Sequence, residues 1–316
     1  MRYSLIILII ALQSFELSAQ KIEKYYDYDW KECDELTARF FSTIEKTDSG
    51  YYKIDFYIGT KSLYSIGLYA DEKCSIRHGT YKSFYANKKP KLTGRYFNGK
   101  ANGIFISYHY NGMMKDSGRF MFDKLSGEYL AWHSNGFIKD SISPIDAEKY
   151  VSISWYDDGT PSEAGYLING EKWGVWQYFY KSNKIAAKVQ YKNDEIVSAS
   201  YYKEDGALVE GEPIIDSDAT FSTKKFDSWK DYLDRKLFWP NGFKFQGGGK
   251  ATIIVMFTIN EQGKVEDAYI DIPLHEAFNE NALHPIKNSP LWKPAIQFNR
   301  PVKHVVRQAV TFSQQE

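Results

Sequence analysis

The feature that most restricts the fold of this 316-residue chain is a repeat with a period of 23 to 24 residues. Four ten-residue segments end at positions 112, 136, 159 and 183, in steps of 24, 23 and 24 residues. One further step in each direction reaches positions 88 and 206, so the chain holds six copies. Repeats of this length form small structural units that stack on their neighbours. The sixth residue of every copy is aromatic, namely Phe84, Tyr108, Trp132, Trp155, Phe179 and Tyr202.

Each copy is predicted to contribute a β-hairpin. The segments between copies end in turn residues, as in GRYFNGK (94–100) and GYLINGEK (165–172). Asn-Gly pairs favour the left-handed backbone of tight hairpin turns, and alternating rings are typical of half-buried strands. Aromatic residues make up 17% of the chain, and stacked hairpins would use them as a core. Residues 51–209 are therefore predicted to form stacked β-hairpin repeats in an elongated single sheet, which makes the chain mainly β.

The repeats resemble the bacterial variant of MORN-type repeats. The resemblance rests on YFNGKANGIF (96–105) and YLINGEKWGVW (166–176), and it extends over about residues 53–208. It implies a non-catalytic binding or spacing surface rather than an active site. Residues 20–50 precede the clear copies, and they form either a short amphipathic helix within 29–46 or a strand that caps the stack.

The N-terminal residues 1–19 are predicted to be a secretory signal peptide. A basic start at Arg2 is followed by an apolar run over 5–12 and by small residues at Ser18 and Ala19. The apolar run is shorter than the roughly 20 residues of a comfortable membrane span, although an uncut anchor is the alternative. The pattern predicts export to the periplasm or the outer cell envelope. If the signal is cleaved, the mature chain has no predicted stable membrane span.

Export also bears on the two cysteines, Cys33 and Cys74. An even pair of cysteines in an exported protein is compatible with a disulfide bond, and Cys33–Cys74 is therefore a candidate. Two separate buried thiols are the alternative.

The C-terminal hundred residues differ in pattern and are predicted to form a small α+β unit over 219–316, joined by a polar linker at 210–218. Apolar spacing and capping residues predict a helix before Pro240 and a second helix that ends before Pro285. The predicted order is a helix in 227–239, a hairpin in 247–272, a helix in 275–288 and a strand in 300–312.

This C-terminal segment resembles the C-terminal domain of TonB, the energy-transducing protein of Gram-negative envelopes. The matching motifs are spread over about residues 219–312. They are Trp239-Pro240, GKATIIVMFTINEQGKVEDAYI (249–270), Ala282, SPLWKPAIQFNRPV (289–302) and VVRQAVTF (305–312). Trp239 replaces the usual tyrosine, and the long proline-rich spacer of TonB is missing from this sequence. The resemblance therefore favours partner recognition over a motor role.

The family binds its partners by β-augmentation, in which an extended segment pairs with the last strand. The resemblance implies an envelope protein as the partner, a TonB-dependent outer-membrane receptor being one example, and leaves the oligomeric state open. The alternative is that the repeats bind an envelope polysaccharide or lipid while the C-terminal unit only orients them. A strand edge covered by a dimer partner, or guarded by Lys303 and Arg307, would not bind in this way. The residues implied for binding are Val305, Val306, Arg307, Gln308, Ala309, Val310 and Thr311.

The remaining sequence gives no sign of catalysis, a cofactor or nucleic-acid binding. The 40 basic and 40 acidic residues balance, so the chain as a whole would not attract nucleic acid. His109 and His133 occupy equivalent positions in adjacent copies, but a zinc site needs further ligands and none has the right spacing. We therefore predict polar surface rings there, and no metal site, no cofactor and no catalytic residues. Adjacent rings such as Phe84-Tyr85, Trp155-Tyr156 and Phe179-Tyr180 either leave one ring for a sugar or shield the stack.

Overall fold

The computed structural model describes residues 21–210, 216–244 and 249–314. The predicted signal peptide lies outside these residues. The described chain is mainly β and contains two helices, α1 (Trp229–Lys236) and α2 (Glu276–Lys287). The first eight strands are β1 (Lys21–Tyr26), β2 (Phe40–Thr47), β3 (Gly50–Tyr57), β4 (Leu63–Tyr69), β5 (Arg77–Phe84), β6 (Pro90–Phe97), β7 (Lys100–Ala101) and β8 (Gly103–Tyr108). The next eight are β9 (Met114–Met121), β10 (Lys124–Trp132), β11 (Ile138–Pro144), β12 (Lys149–Trp155), β13 (Pro161–Ile168), β14 (Glu171–Phe179), β15 (Ile185–Lys192) and β16 (Glu195–Tyr201). The last five are β17 (Lys250–Ile259), β18 (Val265–Ile272), β19 (Ala295–Gln297), β20 (Arg300–Val302) and β21 (His304–Ser313).

Strands β1 to β16 form one antiparallel sheet of 16 strands. Its order follows the chain from β1 to β16, with the short β7 paired to β6 beside the main path. Apart from β7, every strand of this sheet therefore pairs with its neighbours in chain order, as a stack of hairpins requires. This arrangement confirms the predicted long sheet of β-hairpin repeats.

Two Asn-Gly pairs form tight turns with the predicted backbone. Asn98 and Gly99 have φ angles of 47° and 82°, and Asn169 and Gly170 have φ angles of 53° and 90°. Two consecutive residues with positive φ match the right-handed twist of the flanking strands. The turns therefore set the register of both hairpins.

The repeat core is built from rings that lie over glycines of the preceding strand. A Cβ added to Gly94 would lie 2.2 Å from the ring of Phe105, and one added to Gly165 would lie 2.3 Å from the indole of Trp176. Trp176 is 1% exposed. The glycine thus leaves room for a ring that a larger residue would displace. This explains why aromatic and glycine positions recur together in the sequence.

Residues 20–50 include two strands, and the alternative of a helix within 29–46 is wrong. Strand β2 pairs with both β1 and β3. Phe40 and Ile44 of β2 are buried, and Phe40 packs on Tyr57 with ring centroids 5.5 Å apart. As a strand, β2 extends the sheet by pairing on both edges and buries Phe40 against Tyr57, a contact that local apolar spacing does not specify.

The C-terminal segment contains α1, a β17–β18 hairpin, α2, a small β19–β20 hairpin and β21, an order consistent with the predicted α+β unit. Its main sheet has the order β18-β17-β21. Two boundaries differ from prediction. Helix α2 continues past Pro285, which lies near its end and is buried, and whose carbonyl oxygen accepts a hydrogen bond from Tyr232 at 2.9 Å. The predicted strand over 300–312 is divided at Lys303 into β20 and β21.

The three-stranded sheet lies between the two helices and the long sheet. On one face, Ile253 and Val255 join a buried cluster with Phe278 of α2. On the other face, Ile254 packs in a cluster with Phe40 and Tyr57 of the long sheet. The C-terminal unit is therefore docked against the repeats.

The predicted linker 210–218 is only partly described, because residues 211–215 lie outside the described residues. Ser217 and Thr220 form isolated bridges with Ile296 and Lys293. The backbone amide of Phe298 donates to the carboxylate of Asp216 at 2.8 Å. The described end of the linker is therefore bound to the C-terminal unit.

The structure does not contain the candidate Cys33–Cys74 disulfide, and both cysteines are free thiols. Cys33 lies in the connection between β1 and β2, and Cys74 lies in the connection between β4 and β5. Burial raises the pKa of the Cys74 thiol to about 11. Among the described residues, neither helix is long and apolar enough to span a membrane.

Candidate functional site

Strand β21 pairs along its whole length with β17, from Lys250 opposite Ser313 to Ile259 opposite His304. The next pair in this register joins Gly249 and Gln314, and the Gln314 amide donates to the Gly249 carbonyl oxygen at 3.2 Å. Hydrogen-bonded and non-bonded pairs alternate along an antiparallel ladder. The even-numbered residues of β21 therefore direct their backbone N–H and C=O groups towards β17.

It follows that the odd-numbered residues of β21 direct their backbone groups away from β17. A contact on the opposite edge of β17 supports this assignment. Thr252 pairs with Thr311, and its carbonyl oxygen points away from β21 and accepts a hydrogen bond from Arg39 Nε at 3.2 Å. We call the residues with outward groups the β21 edge: Val305, Arg307, Ala309 and Thr311.

The seven residues predicted from the resemblance thus divide into two sets. The β21 edge residues are all exposed, and Val305 is 64% exposed. The other three are Val306, Gln308 and Val310, whose side chains lie on the helix side of the sheet. In the described chain, β17 is the only strand that pairs with β21.

Gln308 closes part of the β21 edge. Its side-chain oxygen accepts a hydrogen bond from Trp229 Nε1 at 2.8 Å. Its Nε2 donates to the backbone carbonyl oxygen of Ala309 at 2.6 Å. One outward acceptor is therefore already bonded within the chain.

Lys303, immediately before β21, anchors the strand to the repeats. Its Nζ lies 2.9 Å from an Asp157 oxygen, and it also forms an ion pair with Glu266 of β18. Burial opposes ionisation of Asp157, but hydrogen bonds from Lys181 and Lys303 outweigh burial and lower its pKa to about 2. Lys303 is thus engaged internally and does not guard the edge, which leaves Arg307 as the charged residue on it.

Arg300 is a second anchor and is only 3% exposed. Its guanidinium donates to the Ser162 carbonyl oxygen at 2.8 Å and to the Tyr156 hydroxyl at 3.1 Å. It also forms an ion pair with Glu163 at 3.2 Å. A buried arginine with an ionic partner and several acceptors fixes one geometry. Through these contacts Arg300 holds β20 against β13 and the turn before it, and β21 follows directly in the chain.

The third anchor is aromatic and lies on β18. Tyr269 stacks on Tyr110 with ring centroids 4.4 Å apart. The adjacent Asp271 accepts from Lys91 Nζ at 2.9 Å. These contacts and the two cationic anchors place the C-terminal unit along several repeats. The anchoring roles of Arg300, Lys303 and Tyr269 were not predicted from the sequence, because their partners lie far away along the chain.

His109 and His133 belong to a set of side chains that join consecutive copies. His109 Nε2 lies 2.8 Å from the Trp132 carbonyl oxygen, and His133 Nε2 lies 2.9 Å from the Trp155 carbonyl oxygen. Because a carbonyl oxygen only accepts, each Nε2 must carry the proton. The same position carries tyrosine in other copies. The hydroxyl groups of Tyr57, Tyr85, Tyr156 and Tyr180 donate to the carbonyl oxygens of Phe84, Tyr108, Phe179 and Tyr202.

These six side-chain bonds are called the spine. Burial lowers the pKa of His133, which favours its neutral form. The tyrosines of the predicted ring pairs are spine residues, which agrees with shielding of the stack. Within the described residues, no group of three or more His, Cys, Asp or Glu side chains could hold a metal ion.

The fold and its spine define the class of protein, which is a repeat protein of stacked β-hairpins. A family model described as the MORN repeat variant matches two segments, residues 77–98 and 174–193. The matches correspond to the hairpins β5–β6 and β14–β15. They are consistent with a non-catalytic repeat protein. A search of the curated proteins finds no match. The resemblance of residues 219–312 to TonB stays a prediction.

Proposed function

We propose that this chain is a non-catalytic protein of the cell envelope that binds a partner protein by strand addition to the β21 edge. The observation that carries the proposal is the outward direction of the backbone groups of Val305, Arg307, Ala309 and Thr311 on an exposed strand. Unpaired N–H and C=O groups on an edge strand are a template for another extended chain.

The geometry suggests moderate affinity and loose sequence preference. Each backbone hydrogen bond contributes about 0.5–1.5 kcal/mol net, and four edge residues offer only a few such bonds. Arg307 is the exposed charge on this edge, and opposite charges placed across a strand pair stabilise it. The preferred partner segment is therefore extended and places an acidic residue opposite Arg307.

The predicted signal peptide and the resemblance to TonB support a location in the periplasm or outer envelope. They also support a TonB-dependent outer-membrane receptor as the partner. In this proposal the repeats hold the C-terminal unit in place and present β21. Subcellular fractionation with N-terminal sequencing of the mature protein tests the location, and a cytoplasmic protein with an intact N-terminus would overturn it.

The binding edge is tested in the full chain with Ala309→Pro. Proline removes the outward N–H and covers the edge, while the ladder to β17 uses the even-numbered residues and stays intact. Ala309→Ser is the matched control because it keeps the N–H group. We expect the native chain and Ala309→Ser to capture the same outer-membrane protein, and Ala309→Pro to lose it.

A captured protein is then tested with a synthetic peptide of its periplasmic segment. Loss of peptide binding in Ala309→Pro, with unchanged circular dichroism, supports strand addition. Equal binding by Ala309→Pro and Ala309→Ser would exclude the β21 edge as the docking site. Point variants are preferable to deletion of the C-terminal unit, because deletion would expose Tyr57 and Phe40.

A further inference from the structure

A cleft lies on the long sheet near β3, β4 and β5, and β21 does not line it. It has a volume of about 400 Å³, within the range of about 300–1,000 Å³ that is usual for small-molecule sites. Its lining contains three charged side chains, those of Lys53, Asp55 and Arg77. The cleft lining therefore carries one excess positive charge.

The acidic member of this set is already satisfied. Asp55 is 3% exposed and forms an ion pair with Lys53 at 3.0 Å. The hydroxyl groups of Ser42 and Ser65 also donate to its carboxylate. Asp55 thus has three partners and forms no ion pair with Arg77. It holds Lys53 in the lining of the cleft.

Arg77 is the uncompensated charge. Its guanidinium carbon lies 4.1 Å from the centroid of the Tyr81 ring, and Nη1 lies 3.5 Å from the Tyr96 hydroxyl. It interacts with the hydroxyl of Tyr69 as well. Among residues 21–210, 216–244 and 249–314, Arg77 has no carboxylate partner. A guanidinium has five N–H donors in a planar fork suited to an oxyanion.

The rest of the lining is rich in hydroxyl groups. Tyr64, Tyr69, Ser65 and Ser75 all line the cleft. Hydroxyl groups both donate and accept hydrogen bonds, so they suit a ligand that carries hydroxyl groups itself. The carboxylate of Asp71, which is not among the lining residues, accepts from the Ser75 hydroxyl and from the backbone amides of Ser75 and Ile76.

We propose that this cleft binds a monosaccharide-sized, hydroxylated ligand through its oxyanion, a carboxylate or phosphate held by Arg77 and Lys53. The site does not depend on strand addition at β21, and the chain can have either activity without the other. A carboxylate or a phosphate can reach the cleft on a single sugar or at the end of a polysaccharide.

The test uses Cys74 as a reporter, because its side chain lines the cleft. In a Cys33→Ser background, Cys74 is the only thiol, and its rate of alkylation by a maleimide is measured with and without ligand. The probes are glucuronate, glucose 6-phosphate and neutral glucose. Protection by one or both acidic sugars but not by glucose supports the proposal and shows which oxyanion is preferred.

The variant Arg77→Gln tests the charge, and Lys82→Gln is the matched control on the same strand. Lys82 is exposed and lies on the opposite face from Tyr81. We expect Arg77→Gln to weaken binding more than about ten-fold, as loss of a charged hydrogen bond predicts, while Lys82→Gln binds normally. Binding is measured by calorimetry, and thermal unfolding checks that each variant is folded.

Three results would overturn the proposal. They are equal protection by glucose, no protection by any probe in the native chain, and native affinity in Arg77→Gln. If Arg77→Gln does not fold, Arg77→Lys keeps the charge but loses the fork, and it should bind more weakly than the native chain. None of these results bears on the β21 edge, which is assayed separately with Ala309→Pro.

Discussion

The imidazole of His133 donates from Nε2 to the carbonyl oxygen of Trp155 at 2.9 Å, across one full repeat of the sheet. The equivalent bond in the next copy comes from the hydroxyl of Tyr156, which donates to Phe179 at 2.7 Å. Consecutive hairpins are thus joined by a side-chain donor at this position, which is an imidazole in one copy and a phenol hydroxyl in the next. A histidine at this position adds a group that titrates near neutral pH, whereas a tyrosine titrates only at high pH.

The substitution His133→Tyr should therefore make the protein less sensitive to acid. Burial lowers the pKa of His133 in the folded chain from its ordinary value of 6.5. The unfolded chain binds a proton at higher pH than the folded chain, so stability falls as the pH drops below about 6.5. Tyrosine keeps the donor and does not titrate in this range. Urea unfolding between pH 5 and pH 8 measures the effect, and identical pH profiles for the native chain and His133→Tyr would contradict it.

The substitution Gly165→Ala should destabilise the repeats by about 1–3 kcal/mol, the usual cost of overpacking. The added Cβ would lie 2.3 Å from the buried indole of Trp176, which has no room to move. Ala164→Ser is the control, because it adds one atom on the opposite face of the same strand. Chemical denaturation compares the two variants, and a similar small effect in both would refute the role of the glycine.

The substitution Phe122→Asn should stabilise the turn between β9 and β10. Phe122 and Asp123 have φ angles of 51° and 71°, and neither is glycine. Asparagine tolerates this backbone better than phenylalanine, and relief of about 1 kcal/mol exceeds the loss of the exposed contact with Phe97. The expected result is a higher unfolding midpoint for Phe122→Asn and a slightly lower one for Phe122→Leu. Equal midpoints for the two variants would show that the turn is unstrained.

The substitution Arg300→Met should be the most damaging of the four. The Arg300 side chain is 4% exposed, and its loss leaves Glu163 with only the more distant Lys172, whose Nζ lies 3.8 Å away. Removing one partner of a fully buried ion pair typically costs about 3–5 kcal/mol, and the partial exposure of Glu163 places the expected loss near the lower end of that range. Lys139→Met, which removes an ion pair between the exposed Lys139 and the half-buried Asp140, should cost less than about 1 kcal/mol. Denaturant unfolding measures both, and a small loss for Arg300→Met would show that the C-terminal unit is held mainly by Tyr269 and Lys303.

The hairpin repeats could be predicted because their signals are local. The Asn98-Gly99 turn and the ring positions depend on residues close in sequence, where the period of a strand and the backbone of a turn are set directly. Helix α1 was predicted for the same reason, and its N-cap is Ser228, whose side chain accepts from the backbone amide of Asp231. The pairing of Cys33 with Cys74 could not be decided from the sequence, because it depends on how distant loops approach each other, and both cysteines are free thiols in the structure.

The sequence by itself determined that this chain is a stack of aromatic hairpins followed by a unit of different pattern. Tertiary structure alone decided that the second unit lies against the repeats, held by Arg300, Lys303 and Tyr269. It also decided which residues of β21 face outward, and that Arg77 lines a cleft and has no ion-pair partner within the described part of the chain. The physical reason is distance along the chain. Arg300 reaches Tyr156 across 144 residues, and no local period or turn preference specifies such a contact.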